Sequence, residues 1–97
     1  MADRVCDAIL KRSVIEFNYD GGVRIVEPHC HGFSSAGKEV VLAYQIDGYS
    51  KSGDSSGWRL YEVAKITDLS FADAIFPIDR PGFDPQRSNL SYIHCCV

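Results

Sequence analysis

The sequence of 97 residues contains no long hydrophobic run and no excess of positive charge. Its longest apolar stretch, Val40 to Tyr44, is far too short to cross a bilayer. The net charge of −3 argues against a protein that coats nucleic acid through charge alone. The N-terminal segment MADRVCDAIL lacks the apolar core of a signal peptide, which predicts a cytoplasmic location and no membrane partner.

The sequence also lacks the common catalytic motifs. There is no G-x-S-x-G elbow, no H-E-x-x-H motif and no phosphate-binding loop of the G-x4-G-K-[ST] type. Cys30 and His94 could form a nucleophile and base, but no third residue orients them. Asp79 and Asp84 lie in a segment rich in proline and glycine, where turns explain carboxylates. We therefore expect a protein that is not an enzyme and needs no cofactor.

Four cysteines are present, at positions 6, 30, 95 and 96. A cytoplasmic location predicts free thiols, and a bridge between the adjacent Cys95 and Cys96 would strain the peptide that joins them. A weaker alternative is a zinc site, because the two His/Cys clusters at residues 29–31 and 94–96 could together supply four ligands. The candidate metal ligands are His29, His31, His94, Cys95 and Cys96.

Composition fits one small globular domain, with 45% hydrophobic and 24% charged residues. Residues 3–12 predict a short helix, because Val5 and Ile9 fall on one face. The alternating segment VIEFNY predicts a strand, and Asp20-Gly21-Gly22 predicts a tight hairpin turn. The return strand is expected over residues 23–27 and to end at Pro28, which cannot donate to a central ladder.

Further strands are predicted along the rest of the chain. The segment EVVLAYQI is apolar on both faces, which predicts a central strand. The other predicted elements are a turn at 34–38, a loop at 48–57, a strand near 58–63, a last short strand or turn at 64–71, an ordered arm from Pro77, and a weak helix or loose tail at 86–97. The expected fold is mainly β (α+β): a short N-terminal helix, then a five-stranded antiparallel SH3-like or Sm-like barrel over residues 1–76, with residues 77–97 as a C-terminal arm or tail.

Two segments, AILKRSVIEFNYDGGVRIVEP and GWRLYEVAKITDL, resemble parts of the WYL domain family in their order and spacing, over roughly residues 5–70. The tripeptide that names the family falls on Val40-Val41-Leu42, so only the leucine is kept. Glu62 stands at a position that is basic in the family, while Lys65 keeps a positive charge. The sequence from Pro28 to Tyr61 resembles a stand-alone bacterial branch of the family.

The resemblance implies an Sm-like barrel whose groove of arginines and aromatic residues binds a nucleotide or nucleic-acid effector. The matching positions are Tyr19, Arg24, Tyr44, Arg59 and Tyr61. The residues themselves add that Arg24 and Arg59 could clamp a phosphate while an aromatic ring stacks on a base. Tyr49 and Lys51 join the candidates, since an aromatic side chain in a Gly/Ser loop has no evident packing role.

Several interpretations stay open at this point. Either arginine could instead form an ordinary surface ion pair with Glu27 or Glu62, and the tyrosines could be packing residues. The leading hypothesis is a non-enzymatic module that senses a nucleotide or short single-stranded nucleic acid in a regulatory or defence context. The alternatives are a protein-interaction or dimerisation module, since small barrels expose edge strands, and, more weakly, a zinc-binding domain.

Overall fold

The computed structural model describes residues 2–49, 57–83 and 90–97. Across these ranges the chain forms one short α-helix, a single turn of 3-10 helix and six antiparallel strands. The elements in chain order are α1 (Ala2–Lys11), β1 (Ser13–Tyr19), β2 (Gly22–Ser34), β3 (Glu39–Gly48), β4 (Gly57–Glu62), the 3-10 helix (Val63–Lys65), β5 (Thr67–Ile75) and β6 (Leu90–Cys96).

The strands follow the order β4-β3-β2-β1-β5, and β6 pairs with β2. The predicted fold class, mainly β with a short N-terminal helix, is confirmed. The described residues contain six strands rather than the predicted five, because a strand forms in the C-terminal segment. Closure of this sheet into a barrel stays a prediction.

Helix α1 matches the predicted apolar stripe. Val5, Ala8 and Ile9 are fully buried, and Lys11 pairs with Asp7 one turn earlier, at 3.1 Å. A ten-residue helix is marginal alone, so the packing of this stripe on the sheet is what stabilises it. The helix is also about half the length that a membrane span requires, and no longer helix occurs among the described residues.

The hydrophobic core lies between α1 and one face of the sheet, so that face is apolar along several strands. Its buried members are Val5, Ala8, Ile9, Ile15, Phe17, Val26, Val41, Ala43, Tyr61, Val63, Ile66 and Leu69. Strand β3 lies between β2 and β4, which confirms that EVVLAYQI is a central strand.

The predicted hairpin is confirmed, with Tyr19 opposite Gly22. The two turn residues, Asp20 and Gly21, have φ values of 48° and 85°. A turn of the I′ type requires positive φ at both positions, which glycine and aspartate tolerate best.

The prediction that the return strand ends at Pro28 was wrong. β2 continues through the proline to Ser34 and pairs with β3 on both sides of it. The ladder with β1 ends at Val26, and the ladder with β6 begins at Cys30. Pro28 thus lies in the gap between two partners, where a missing N–H breaks neither ladder.

The weak helix or loose tail predicted for residues 86–97 is also corrected, because residues 90–96 form β6 antiparallel to β2. Gly32 permits this pairing, since a Cβ atom at that position would overlap the carbonyl oxygen of Tyr92. Residues 84–89 lie outside the described part of the chain.

The prediction of free thiols was wrong as well. The structure pairs Cys6 with Cys95 and Cys30 with Cys96. Adjacent residues of a strand point to opposite faces, so the neighbouring cysteines of β6 reach different partners. One bridge ties β6 to α1, and the other ties β6 to β2.

Within the described residues 77–83 of the C-terminal arm, Arg80 and Pro81 contact β2 and β4. Trp58 Nε1 donates to the carbonyl oxygen of Pro81 at 3.1 Å.

His29 is buried beneath the arm, with the Phe76 ring stacked on it at 5.0 Å. His29 Nδ1 lies 2.8 Å from the carbonyl oxygen of Glu27 and its Nε2 lies 3.2 Å from the backbone nitrogen of Arg80. These contacts define a neutral ring that donates through Nδ1 and accepts at Nε2.

Stability should therefore fall in mild acid. Burial lowers the pKa of His29 below its ordinary 6.5, and this outweighs the bond to Glu27, which raises it. The unfolded chain then gains its proton at a higher pH than the folded chain, so the free energy of unfolding decreases as the pH falls through 6.5. Urea unfolding at neutral and mildly acidic pH measures this loss, and His29→Phe should reduce the pH dependence. A His29 ring that titrates at or above the ordinary value by NMR would contradict the assignment.

Candidate ligand-binding site

Arg24 is the centre of the candidate site. It projects from β2 toward the core and is only 5% exposed. Its Nη2 donates to the carbonyl oxygen of Tyr19 at 3.1 Å. Its Cζ lies 5.5 Å from the ring centre of Tyr19 and 5.2 Å from that of Tyr49. Two tyrosine rings therefore cover the guanidinium group.

The charge of Arg24 has no carboxylate partner among the described residues, and its buried Nε has no hydrogen-bond partner there. The open alternative of a surface pair with Glu27 or Glu62 is wrong for this arginine. Glu27 is bound by Arg80 at 2.6 Å, and Glu62 by Lys38 and Lys65 at 3.0 and 2.9 Å.

Gln45 organises the surroundings of Arg24. The side chain is completely buried on β3. Its Nε2 donates to the carbonyl oxygen of Tyr49 at 2.9 Å, and its Oε1 accepts the hydroxyl proton of Tyr61 at 3.1 Å. The backbone N–H of Tyr49 donates to Val23 at 2.8 Å. Tyr49 is thus held at the end of β3 by hydrogen bonds on both sides of its backbone.

Gly22 makes room for the Tyr49 side chain. A Cβ atom at position 22 would overlap the first ring atoms of Tyr49. The hairpin glycine therefore does more than form a turn, because it lets the ring lie over Arg24.

Tyr61 and Arg59 lie on one face of β4, opposite Val41 and Ala43 of β3. Burial raises the pKa of Tyr61 above its ordinary value of 10.0, although the positive charges of Arg24 and Arg59 oppose this shift. The charge of Arg59 thus acts on Tyr61, which lies beside Arg24 in the same site.

Two of the tyrosine rings are in direct contact. The Tyr19 and Tyr61 rings meet edge to face with centres 5.0 Å apart. The Tyr19 hydroxyl accepts the backbone N–H of Glu62 at 3.0 Å. The described candidates around Arg24, which we call the arginine–tyrosine cluster, are Tyr19, Arg24, Tyr49, Arg59 and Tyr61.

Tyr44 does not join this cluster, because it lies on the opposite face of β3 from Gln45. There its ring meets that of Trp58 at 5.5 Å, and the Cζ of Arg80 lies 4.7 Å above it. Lys51, the last sequence candidate, lies outside the described residues. The sequence reasoning missed Gln45 and Arg80. A lone polar residue within an apolar strand was the available signal for Gln45, whereas nothing local marked Arg80.

Three of the five candidate metal ligands lie together in the structure. His31, His94 and Cys95 come together with Cys6, which was not among the predicted ligands. His29 is excluded because both ring nitrogens are already hydrogen-bonded. Cys96 is bonded to Cys30 and lies outside this group.

The chain matches no family model, no curated protein and no solved structure. The resemblance to the WYL domain therefore stays a prediction, and function must be argued from the geometry of the site.

The ion pair between Glu27 and Arg80 should matter for stability. The Glu27 side chain is 8% exposed and that of Arg80 is 40% exposed. Arg80→Met keeps much of the packing but leaves a buried carboxylate unpaired, so we expect a loss of about 2 kcal/mol in urea unfolding. Lys11→Met, which breaks the exposed pair with Asp7, should cost less than about 0.5 kcal/mol. Equal effects of the two substitutions would contradict the assigned role of the buried pair.

Proposed function

We propose that the protein is a non-enzymatic binding module whose ligand is an anion of the nucleotide or short single-stranded nucleic-acid class. The observation that carries the proposal is the buried guanidinium of Arg24, which has no carboxylate partner among the described residues. A regulatory or defence role, and membership of the WYL family, are expectations that rest on the sequence resemblance alone.

An anionic ligand fits the energetics of this arginine. A buried charge is costly unless it is paired and hydrogen-bonded. The guanidinium has free donor capacity at Nε, and a phosphate accepts two parallel hydrogen bonds from such a group. The neighbouring Arg59 adds a second positive charge. Since the whole chain carries a net charge of −3, binding must depend on this local potential.

Tyr49 suits the recognition of a base. Its ring lies against Arg24 and is 47% exposed, so one part of it faces solvent. Base stacking on an aromatic side chain contributes about 1–3 kcal/mol and tolerates different bases. Hydrogen bonds to Gln45 and Val23 hold the backbone of Tyr49 in place beside Arg24.

Substitution of Arg24 tests the proposal directly. Arg24→Gln keeps a polar side chain and removes the charge, so affinity for a short oligothymidylate should fall at least about tenfold. The dependence of affinity on salt should also weaken, by about 0.7 in the slope of log K against log salt for each phosphate that the variant does not neutralise. Fluorescence anisotropy across a salt series measures both effects, and Arg59→Gln should show the same direction.

Arg80→Gln is the matched control. Arg80 also lies over a tyrosine ring, but Glu27 already neutralises its charge. This variant should lose stability without losing affinity, which separates binding from folding. If Arg24→Gln and Arg59→Gln bind like the wild type, or if the wild type binds no oligonucleotide or nucleotide, the proposed function is wrong.

A second candidate function, dimerisation, is favoured by the free edge of β6. β6 pairs with β2 on one side, and no other described strand pairs with it. Its apolar side chains Tyr92 and Ile93 are exposed, and Tyr92 lies opposite the exposed Phe33 of β2. Exposed strand edges of this kind can pair with a second copy to give a symmetric dimer.

Sedimentation velocity over a range of concentrations tests this candidate. The wild type should show a mass that rises with concentration, and Ile93→Lys should stay monomeric, because a charge on an edge strand opposes pairing. The exposed Val23→Lys, on the other half of β2, is the control and should leave association unchanged. A wild-type protein that is monomeric at all concentrations would exclude dimerisation.

A further inference from the structure

Four side chains with metal-ligand chemistry meet between α1, β2 and β6. They are Cys6 of α1, His31 of β2, and His94 and Cys95 of β6, and their ligand atoms all lie within 4.8 Å of one another. Nδ1 of His94 lies 3.2 Å from Cys6 Sγ and 3.1 Å from Nδ1 of His31. Residues from three elements, far apart in sequence, thus converge on one point.

Two sulfurs and two imidazole nitrogens are a ligand set typical of structural zinc. Zinc bonds of about 2.0–2.3 Å place the ligands of a tetrahedral site about 3.3–3.8 Å apart. The observed nitrogen–nitrogen and nitrogen–sulfur separations of 3.1 and 3.2 Å are close to these values. The sulfurs of Cys6 and Cys95, which are joined in a disulfide, must move apart, and all four ligand atoms lie within 4.8 Å of one another.

Glu39 prepares His31 for such a site. Its Oε2 lies 2.6 Å from Nε2 of the buried His31 ring. The carboxylate accepts a hydrogen bond from Nε2–H, which leaves a lone pair on Nδ1, 3.1 Å from His94 and within 4.8 Å of the two sulfurs. A carboxylate that orients a histidine in this way is the usual outer partner of a zinc ligand. Sequence spacing did not reveal this contact, since it depends on the register between β2 and β3.

We propose that the reduced protein binds one Zn²⁺ through Cys6 Sγ, His31 Nδ1, His94 Nδ1 and Cys95 Sγ, and that the disulfide form is metal-free. The proposal is independent of the arginine–tyrosine cluster and of its ligand. Metal and disulfide are then alternative links between α1 and β6, so the C-terminal strand stays attached to the helix in either redox state.

A thiol or phosphine reductant converts the metal-free disulfide form into the reduced form that binds zinc. The reductant donates two electrons to the Cys6–Cys95 bond, the sulfur–sulfur bond breaks, and two protons from solution complete the two thiols. Zn²⁺ then replaces these two protons, which leave to solvent. In the reverse direction, hydrogen peroxide takes two electrons from the two thiolates, the disulfide forms again and the metal is released. The peroxide takes up two protons from solvent and becomes two waters.

The test uses the full chain purified without a polyhistidine tag, reduced with a phosphine, loaded with Zn²⁺ or Co²⁺, and desalted. We expect one zinc per chain, and for cobalt the intense visible absorption of a tetrahedral site together with sulfur-to-metal charge transfer. Hydrogen peroxide should release the metal and restore the Cys6–Cys95 disulfide. The double variant Cys6→Ser/Cys95→Ser should retain no metal. The double variant Cys30→Ser/Cys96→Ser, which keeps Cys6 and Cys95, should retain one zinc per chain.

Glu39→Gln gives a second measurement that leaves all four ligands in place. Loss of the carboxylate should weaken zinc binding about 10- to 100-fold in chelator competition. Glu62→Gln, which removes a carboxylate that pairs with lysines instead, is the matched control and should leave affinity unchanged. Zinc should also raise the melting temperature of the reduced wild type but not that of the Cys6/Cys95 variant.

Three results would overturn the proposal: reduced wild type that keeps no metal, a folded Cys6→Ser/Cys95→Ser protein that keeps as much as the wild type, or retention that depends on Cys30 and Cys96. The last result would place the metal at the other cysteine pair.

Discussion

Strand β2 has to satisfy two successive partners along one of its edges, and the rest of the structure depends on this arrangement. Its first half pairs with β1 as far as Val26, and its second half pairs with β6 from Cys30 onward. Strand β3 covers the other edge. Pro28 lies at the change of partner, where a residue without an N–H is tolerated. The strand therefore carries Arg24 into one neighbourhood and His31 into another.

The buried polar side chains of β2 differ in whether an opposite charge or a hydrogen bond compensates them. Near the middle of β2, Glu27 is neutralised by Arg80 from the arm. In the second half, His31 is hydrogen-bonded to Glu39. Arg24, in the first half, has aromatic rings and a carbonyl oxygen around it but no described carboxylate. Since a buried charge is stable only when it is compensated, this difference is the basis for proposing an anionic ligand at Arg24.

Local signals were sufficient where neighbouring residues decide the structure. The stripe of Val5 and Ile9 predicted α1, and Asp20-Gly21 predicted a turn that needs two positive φ values. They failed where a distant partner decides. Pro28 looked like the end of a strand because the sequence does not show where β1 stops and β6 begins. Residues 90–96 looked weakly structured because β6 gains its stability from β2 and from the two disulfides.

The sequence by itself determined a mainly β domain with one short helix, the position of the hairpin, and the arginines and tyrosines on which the proposed anion site rests. Alternation along β3 put Tyr44 and Gln45 on opposite faces, but both faces are apolar, so only the tertiary structure decided that Gln45 joins Arg24 and that Tyr44 does not. The same holds for the cysteines and histidines. Their partners lie as far as 89 residues away along the chain, and contacts over such distances follow from the packing of whole elements rather than from local preference.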